Sequence, residues 1–265
     1  MKSSRRRFEE LMWVLGAHAV ARRIYRATSG QRAAQGKAEL NRFYSSLLPT
    51  DVLVFDIGAN TGQYAEALES AGARVIAVEP NPDCVRHIEL SYSSRRIQAI
   101  QAAVGSRNGL AEIKISDERD DVSTLSVAWM ATLKSQHDEY LNLWNRVIVV
   151  PMFTLDTLIE HYGVPHYIKI DVEGFEEAAL DGLSVQPHLL SFEFNLASLK
   201  SAIACLDKRI ISGNSTFNFV WGAKPGEFQL SNWLGLVEFK DKLNSLESSL
   251  GASDKHGDIF VKRLE

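Results

Sequence analysis

Asp51–Gly62 reads DVLVFDIGANTG, and Arg74–Pro80 reads RVIAVEP. The first stretch is a buried strand, Val52–Phe55, running into a turn of the pattern Asp56-x-Gly58-x-Asn60-x-Gly62. The second is another apolar strand, ending on Glu79, and one helix's worth of residues separates Asp56 from Glu79. A strand, a glycine turn, a helix and a strand tipped with an acid form a nucleoside-binding unit.

The residue types suit that use. Gly58 and Gly62 reach backbone angles closed to other residues, and Asn60 is among the few non-glycine residues that tolerate left-handed geometry. A helix near Gln63–Ser70 points its free N–H groups at the ligand. Glu79 can accept hydrogen bonds from both hydroxyls of a ribose. The spacing departs from G-x-G-x-x-G, and Asp56 stands where a diphosphate would be repelled. A nucleoside carrying an ammonium and a sulfonium suits the turn better, and S-adenosylmethionine is such a molecule.

The chain's 265 residues, 45% hydrophobic and 23% charged, suit one globular α/β domain. No apolar run reaches the roughly 18 residues a membrane-spanning helix needs. A net charge of −4 disfavours a general nucleic-acid binder. The charge is uneven: residues 1–50 hold ten Lys/Arg against three acids, a net of +7, which leaves −11 for residues 51–265. Cys84 and Cys205 lie far apart and form no C-x-x-C, which fits a reducing cytoplasm.

Arg5–Arg7 and the apolar Leu11–Ala21 resemble a signal peptide only faintly, because Glu9, Glu10, His18 and Arg22-Arg23 interrupt the pattern. Phe8, Leu11, Met12, Leu15 and Ala19 recur at helical spacing instead, so residues 5–47 read as two helices broken near Thr28–Gly30. Residues 1–48 form either a helical cap on the main domain or a basic amphipathic surface for a membrane, a lipid-linked substrate or a partner.

From residue 49 to 265 strands and helices alternate. Strands are expected at 52–57, 74–79, 97–104, 166–171, 188–194, 216–221 and 257–263. Helices are expected near 62–71, 82–91, 154–162, 174–181, 198–211 and 232–247. Continuous apolar strands covered on both faces imply a mostly parallel sheet with right-handed crossovers. One interval breaks the rhythm. Ala111–Ile115 and Val147–Val150 read as a strand pair, Ser116–Thr124 as loop and Ser126–Leu143 as helix, so residues of about 116–150 form an insertion of the kind used as a lid or substrate wall.

Tyr167–Gly174, YIKIDVEG, delivers Asp171 and Glu173 to the end of a buried strand. The ligand crevice of an open α/β sheet lies beyond the carboxyl ends of its strands, so both acids fall on the same edge as Gly58 and Glu79. Residues two apart in a strand share a face, and such a pair can position a hydroxyl, remove its proton or hold a divalent metal. The plainer alternative is that Asp171 caps the next helix and Glu173 is solvated. Glu193, inside the apolar LLSFEF strand, needs a partner or a cavity wall, and Asn195 follows it. The histidines show no zinc spacing. Trp129, Trp144, Trp221 and Trp233 can stack on a sugar or fill core.

The ordered series FDIGANTGQY, AVEPNP, FTLDTLIE, YIKIDVEGFE, LSFEF and a terminal GDIFV resembles the FkbM-family methyltransferases. The resemblance covers about residues 52–195 well and the last strand more loosely. It implies a class I, Rossmann-like methyltransferase fold of seven strands with the last antiparallel. It implies S-adenosylmethionine as methyl donor and O-methylation of a small-molecule, glycan or glycolipid acceptor, usually a sugar or secondary metabolite. It assigns Asp56, Gly58, Asn60 and Gly62 to the methionine end, Glu79 to the ribose, and Gln101, Ala102 and Ala103 to the adenine. Many class I enzymes carry an acid at that last place; this chain does not. Asp171 would lie near the transferred methyl, with Asp171 or Glu173 handling the acceptor proton, with or without a divalent ion. A nucleotide-dependent oxidoreductase is disfavoured by the turn pattern, and a non-catalytic scaffold by the intact carboxylates.

Overall fold

A computed structural model describes residues 34–92, 96–115, 145–222, 226–250 and 255–264. The strand formers of the two opening motifs become β1 (Leu53–Ile57) and β2 (Arg74–Glu79), with α2 (Gln63–Ser70) between them and a helix α1 over residues 34–47 before them. Next come α3 (Pro82–Ser91), β3 (Ile97–Gln101), β4 (Ala103–Val104), β5 (Gly109–Ile115), β6 (Arg146–Phe153), α4 (Leu155–Tyr162) and β7 (Tyr167–Ile170). The chain ends with α5 (Glu176–Asp181), β8 (Leu189–Asn195), α6 (Leu199–Asp207), α7 (Arg209–Ser212), β9 (Ser215–Trp221), α8 (Leu236–Leu250) and β10 (His256–Arg263).

Seven strands form the main sheet in the order β3-β2-β1-β7-β8-β10-β9. The neighbours from β3 through β8 run parallel, and β10 runs antiparallel between β8 and β9. This is the expected class I methyltransferase arrangement. Alternate side chains divide between two packed faces, as a pleated strand requires. Phe55, Ile57, Ile168 and Ile170 join a core closed by Leu155, Leu180, Leu206 and Phe239 of the helices on one side. Val54, Tyr167 and Phe260 face the other side, where Phe43 and Tyr44 of α1 and Leu68 of α2 cover them. The described end of the N-terminal segment is therefore a cap: Tyr44 lies fully buried, 6.0 Å from the Tyr167 ring, and Phe43 packs 5.7 Å from Phe260. Losing an aromatic of that kind costs about 3–5 kcal/mol.

A second sheet, β4-β6-β5, holds the expected pairing of 111–115 with 147–150. The expected strand 97–104 is two strands. It breaks at Ala102, whose N–H donates to the Glu79 carbonyl at 3.3 Å before Ala103 and Val104 pair with Met152 and Phe153 of the second sheet. The expected helix 198–211 also divides, because Lys208 is extended (ψ 133°), its ammonium held by Asp181 and Glu177 at 2.6 and 2.9 Å. The helix expected from 232 starts at Leu236, since Leu234 is still bridged to Phe217 in antiparallel fashion. The expected break near Thr28–Gly30, the loop 116–124, the helix 126–143, Trp129 and Trp144 lie outside the described residues. Among the described residues no helix is long and apolar enough to cross a membrane.

Candidate active site

Beyond the carboxyl ends of β1 and β2 the glycine turn takes the geometry its sequence demands. Gly58, Asn60 and Gly62 have φ of 80°, 46° and 85°. The Gly58 and Ala59 N–H groups both donate to the Val78 carbonyl, at 2.9 and 3.1 Å, which fixes the turn to β2. A Cβ on Gly58 would stand 1.7 Å from the Asp171 carbonyl oxygen. The missing side chain thus serves the close approach of two backbone segments, as well as the positive φ. Gly62 is the N-cap of α2 and leaves that helix start without a side-chain cap.

Glu79 is 5% exposed, and its two oxygens accept the backbone N–H groups of Asn60 at 2.9 Å and Asn81 at 2.8 Å. Burial pushes its carboxyl up to about 7, against the pull of those two bonds. Each oxygen retains a second lone pair, so a clamped acid here can still receive ribose hydroxyls. Gln101 lies opposite Glu79 in the β2–β3 register and is exposed, whereas the Ala102 and Ala103 side chains are buried. Toward a base in this place the two alanines offer backbone groups.

The second motif meets the first directly. The Asp171 N–H donates to the Ile57 carbonyl at 2.9 Å, so the end of β7 is anchored to the end of β1. Glu173 (φ 52°) and Gly174 (φ 85°) then turn left-handed, and the helix expected from 174 begins only at Glu176. The buried Glu176 carboxylate holds this loop by accepting the Val172 and Gly174 N–H groups at 3.2 and 3.1 Å. Sequence reasoning passed over Glu176.

It also passed over Lys169, the most enclosed cation of the site. Lys169 is fully buried, its Nζ 2.6 Å from Asp171 Oδ2 and 4.1 Å from the centre of the Tyr64 ring. In the sheet it stands between Asp56 of β1 and Ser191 of β8. Burial alone would lower its pKa, but Asp171, then Asp258, Tyr64 and Asp56 outweigh that and hold it well above the usual range. A lysine flanked by apolar residues in the four-residue strand YIKI was the available signal, because a buried ammonium requires partners.

Asp56 lies under the turn rather than on it: it is fully buried, neither carboxylate oxygen has a hydrogen-bond partner among the described residues, and burial pushes it up to about 6 against the pull of Lys169. Two residues farther along the strands runs a row of acids. Ile170 pairs with Phe192, which sets Asp171 beside Glu193, and Glu193 pairs with Asp258 of β10. Burial, then Asp171 and Glu173, push Glu193 well above the carboxylate range, and burial pushes Asp258 up to about 6. Asp171, Glu173 and Glu193 bring one carboxylate oxygen each within 4.8 Å of one another, so these three could hold a metal ion.

The remaining candidates are structural where they are described. Asn195 Oδ1 accepts the Ala197 N–H at 2.8 Å and caps a short turn. Trp221 packs on Phe194 and Phe219, and Trp233 on Phe228. His166 stacks on His188 at 4.6 Å, and these residues precede β7 and β8, at the sheet edge away from the crevice.

The donor set fits S-adenosylmethionine: an uncapped helix start at Gly62, an acceptor carboxylate at the tip of β2, and a crevice rich in negative charge. The chain matches the methyltransferase FkbM domain over residues 56–208. Among curated proteins none matches it in sequence. Similar solved structures include the precorrin-6y C5,15-methyltransferase of Geobacter metallireducens GS-15, with a TM-score of 0.44 and 11% identity over 87% of each chain. The plantazolicin methyltransferase BpumL in complex with SAH gives a TM-score of 0.40 and 10% identity, over 90% of this chain and 89% of that one. Thermoplasma acidophilum 1320 gives 0.40 and 10%, over 87% and 86%. The chain belongs to the FkbM methyltransferase family, and it is an S-adenosylmethionine-dependent methyltransferase.

Proposed function

We propose that this methyltransferase acts on a hydroxyl of a small-molecule, glycan or glycolipid acceptor, with Asp171 receiving the hydroxyl proton. The observation that carries the reading is the place of Asp171: at the end of β7, tied to β1 through the Ile57 carbonyl, held by Lys169, and in backbone contact with Gly58 of the donor turn.

When bound, S-adenosylmethionine supplies a methyl already activated by its sulfonium, so the protein's share is alignment and proton handling. Glu79 would take the ribose hydroxyls, the turn Gly58–Gly62 above Asp56 the methionine end, and the Gln101–Ala103 segment the adenine. Asp171 is about a quarter exposed (27%), which leaves it open to an acceptor while one oxygen stays fixed on Lys169. Glu173, beside it in a left-handed turn, is the second acid within reach. A positioned carboxylate base contributes about 10²–10⁴-fold.

The domain division follows the same reading: residues 1–48 as an N-terminal segment, and 49–265 as the methyltransferase domain with acceptor recognition in the insertion of about 116–150. The buried free thiols of Cys84 and Cys205 support a cytoplasmic location. The test uses D171N, E173Q and the double variant, assayed with labelled donor against metabolite, glycan and glycolipid extracts, with S-adenosylhomocysteine binding measured in parallel. D171N should lose about 10²–10⁴-fold in turnover while binding S-adenosylhomocysteine normally. Near-native turnover in the double variant would remove both acids from the proton transfer.

A further inference from the structure

We propose that the outer face of the second sheet is a two-fold dimer interface, packed against the same face of a second copy of this chain.

The two faces of the sheet β4-β6-β5 are used differently. Ile113, Ile115, Val150 and Met152 point inward and are buried. The alternate residues point outward, and the β5–β6 register sets them in three rows: Leu110 beside Pro151, Glu112 beside Val149, and Lys114 beside Val147. Single exposed apolar residues are ordinary on a surface, but these adjoin. Leu110 is 73% exposed, Val149 60% and Val147 55%, and Pro151 is exposed among them. A contiguous apolar patch of this kind marks an interaction surface. A strand added at the sheet edge would extend the sheet in its own plane and leave these side chains bare. Only a layer laid on the face covers them.

The charges select the layer. The patch holds one acid and one base, two positions apart on β5, and neither has an ion-pair or hydrogen-bond partner among the described residues. A two-fold axis between two such faces, across the strands and midway between the Glu112 and Lys114 rows, reverses the strand direction. It sets Glu112 over the second copy's Lys114, Lys114 over its Glu112, and Val149 over its Val147. The face is therefore complementary to itself, as a two-fold interface requires. β6 then supplies an apolar centre and the edge strand β5 a charged rim, the usual anatomy of a protein interface. Aligned sheets pack face to face in this way about 10 Å apart. An anionic membrane would select a surplus of bases, and this face has none. The six residues are few against the roughly 20–30 a side of a tight interface, so the dimer should be weak, with a Kd of roughly 1–100 µM.

The experiment is sedimentation equilibrium of the full-length protein over a concentration series reaching about 300 µM, with thermal melting recorded for each variant. The wild type should pass from monomer to dimer. V149E, E112K and K114E should each weaken the dimer at least about tenfold, with melting retained because all three positions face outward. The double variant E112K/K114E exchanges both charges, so it should recover the wild-type affinity. A wild type that stays monomeric at the highest concentration gives the face to another segment of the chain or to a different partner, and overturns the dimer. Undiminished dimerisation by V149E, or no recovery in E112K/K114E, overturns this face and its two-fold arrangement. If V149E does not melt like the wild type, the charge series decides alone.

Discussion

Replacing Lys169 with Met keeps the apolar stem and removes only the ammonium. The structure sets the cost. The Nζ lies 2.6 Å from Asp171 Oδ2 in a fully buried place, and Asp56, with no hydrogen bond of its own among the described residues, is its register neighbour. Removing one partner of a buried pair costs about 3–5 kcal/mol. Asp171 is 27% exposed and water can solvate part of its charge, so the lower end, about 3 kcal/mol, applies. In a chain of this size that is roughly 6–12 °C in Tm. The loss depends on pH. Lys169 holds down the carboxyl of Asp56, already raised by burial to about 6. Without the ammonium the folded-state pKa rises further above the unfolded value of about 3.9. The folded variant then binds more protons than its unfolded chain, so its stability falls as pH rises through that window. K169M should melt furthest below the wild type at pH 8 and approach it at pH 5, as followed by scanning calorimetry. A deficit under about 2 °C at pH 8, or one that does not change with pH, would refute the reasoning. In a double-mutant cycle with D171N the two losses should couple rather than add.

Two further outcomes follow from the donor side. G58A puts a Cβ 1.7 Å from the Asp171 carbonyl oxygen at a φ of 80°, so it should lose more than about 2 kcal/mol in urea denaturation; an unchanged midpoint would contradict the contact. Glu79 is raised to about 7 and must ionise to receive ribose hydroxyls, so S-adenosylhomocysteine binding near pH 6.5 should release a proton, detected by calorimetry in buffers of different ionisation enthalpy. Affinity should fall by up to about tenfold per pH unit below 7, and E79Q should abolish that dependence.

The sheet was legible because its strands are apolar runs cut by glycine turns: β2 and α3 fall where the sequence put them. Positive φ at Gly58, Asn60 and Gly62 followed from residue type alone. The failures share a cause. Ala102 leaves the strand because of a bond to the Glu79 carbonyl, and residues 232–235 stay out of α8 because Leu234 pairs with Phe217. Both are tertiary contacts, invisible to local periodicity. Lys169 was missed by a reading tuned to acids at strand ends, and Asp258, in the terminal GDIFV run, because only the β8–β10 register places it opposite Glu193.

The contact between Gly58 and the Asp171 carbonyl joins two segments separated by over a hundred positions of chain. Neither can be exchanged alone. A bulkier residue in the turn displaces the acid-bearing loop, and a reshaped loop takes away the surface against which the turn is folded. Substitutions at the two places should be accepted or rejected together, both in natural divergence and in any attempt to graft a new acceptor loop. A redesign that retains GANTG must therefore carry the backbone of IDVEG with it as one transplantable unit.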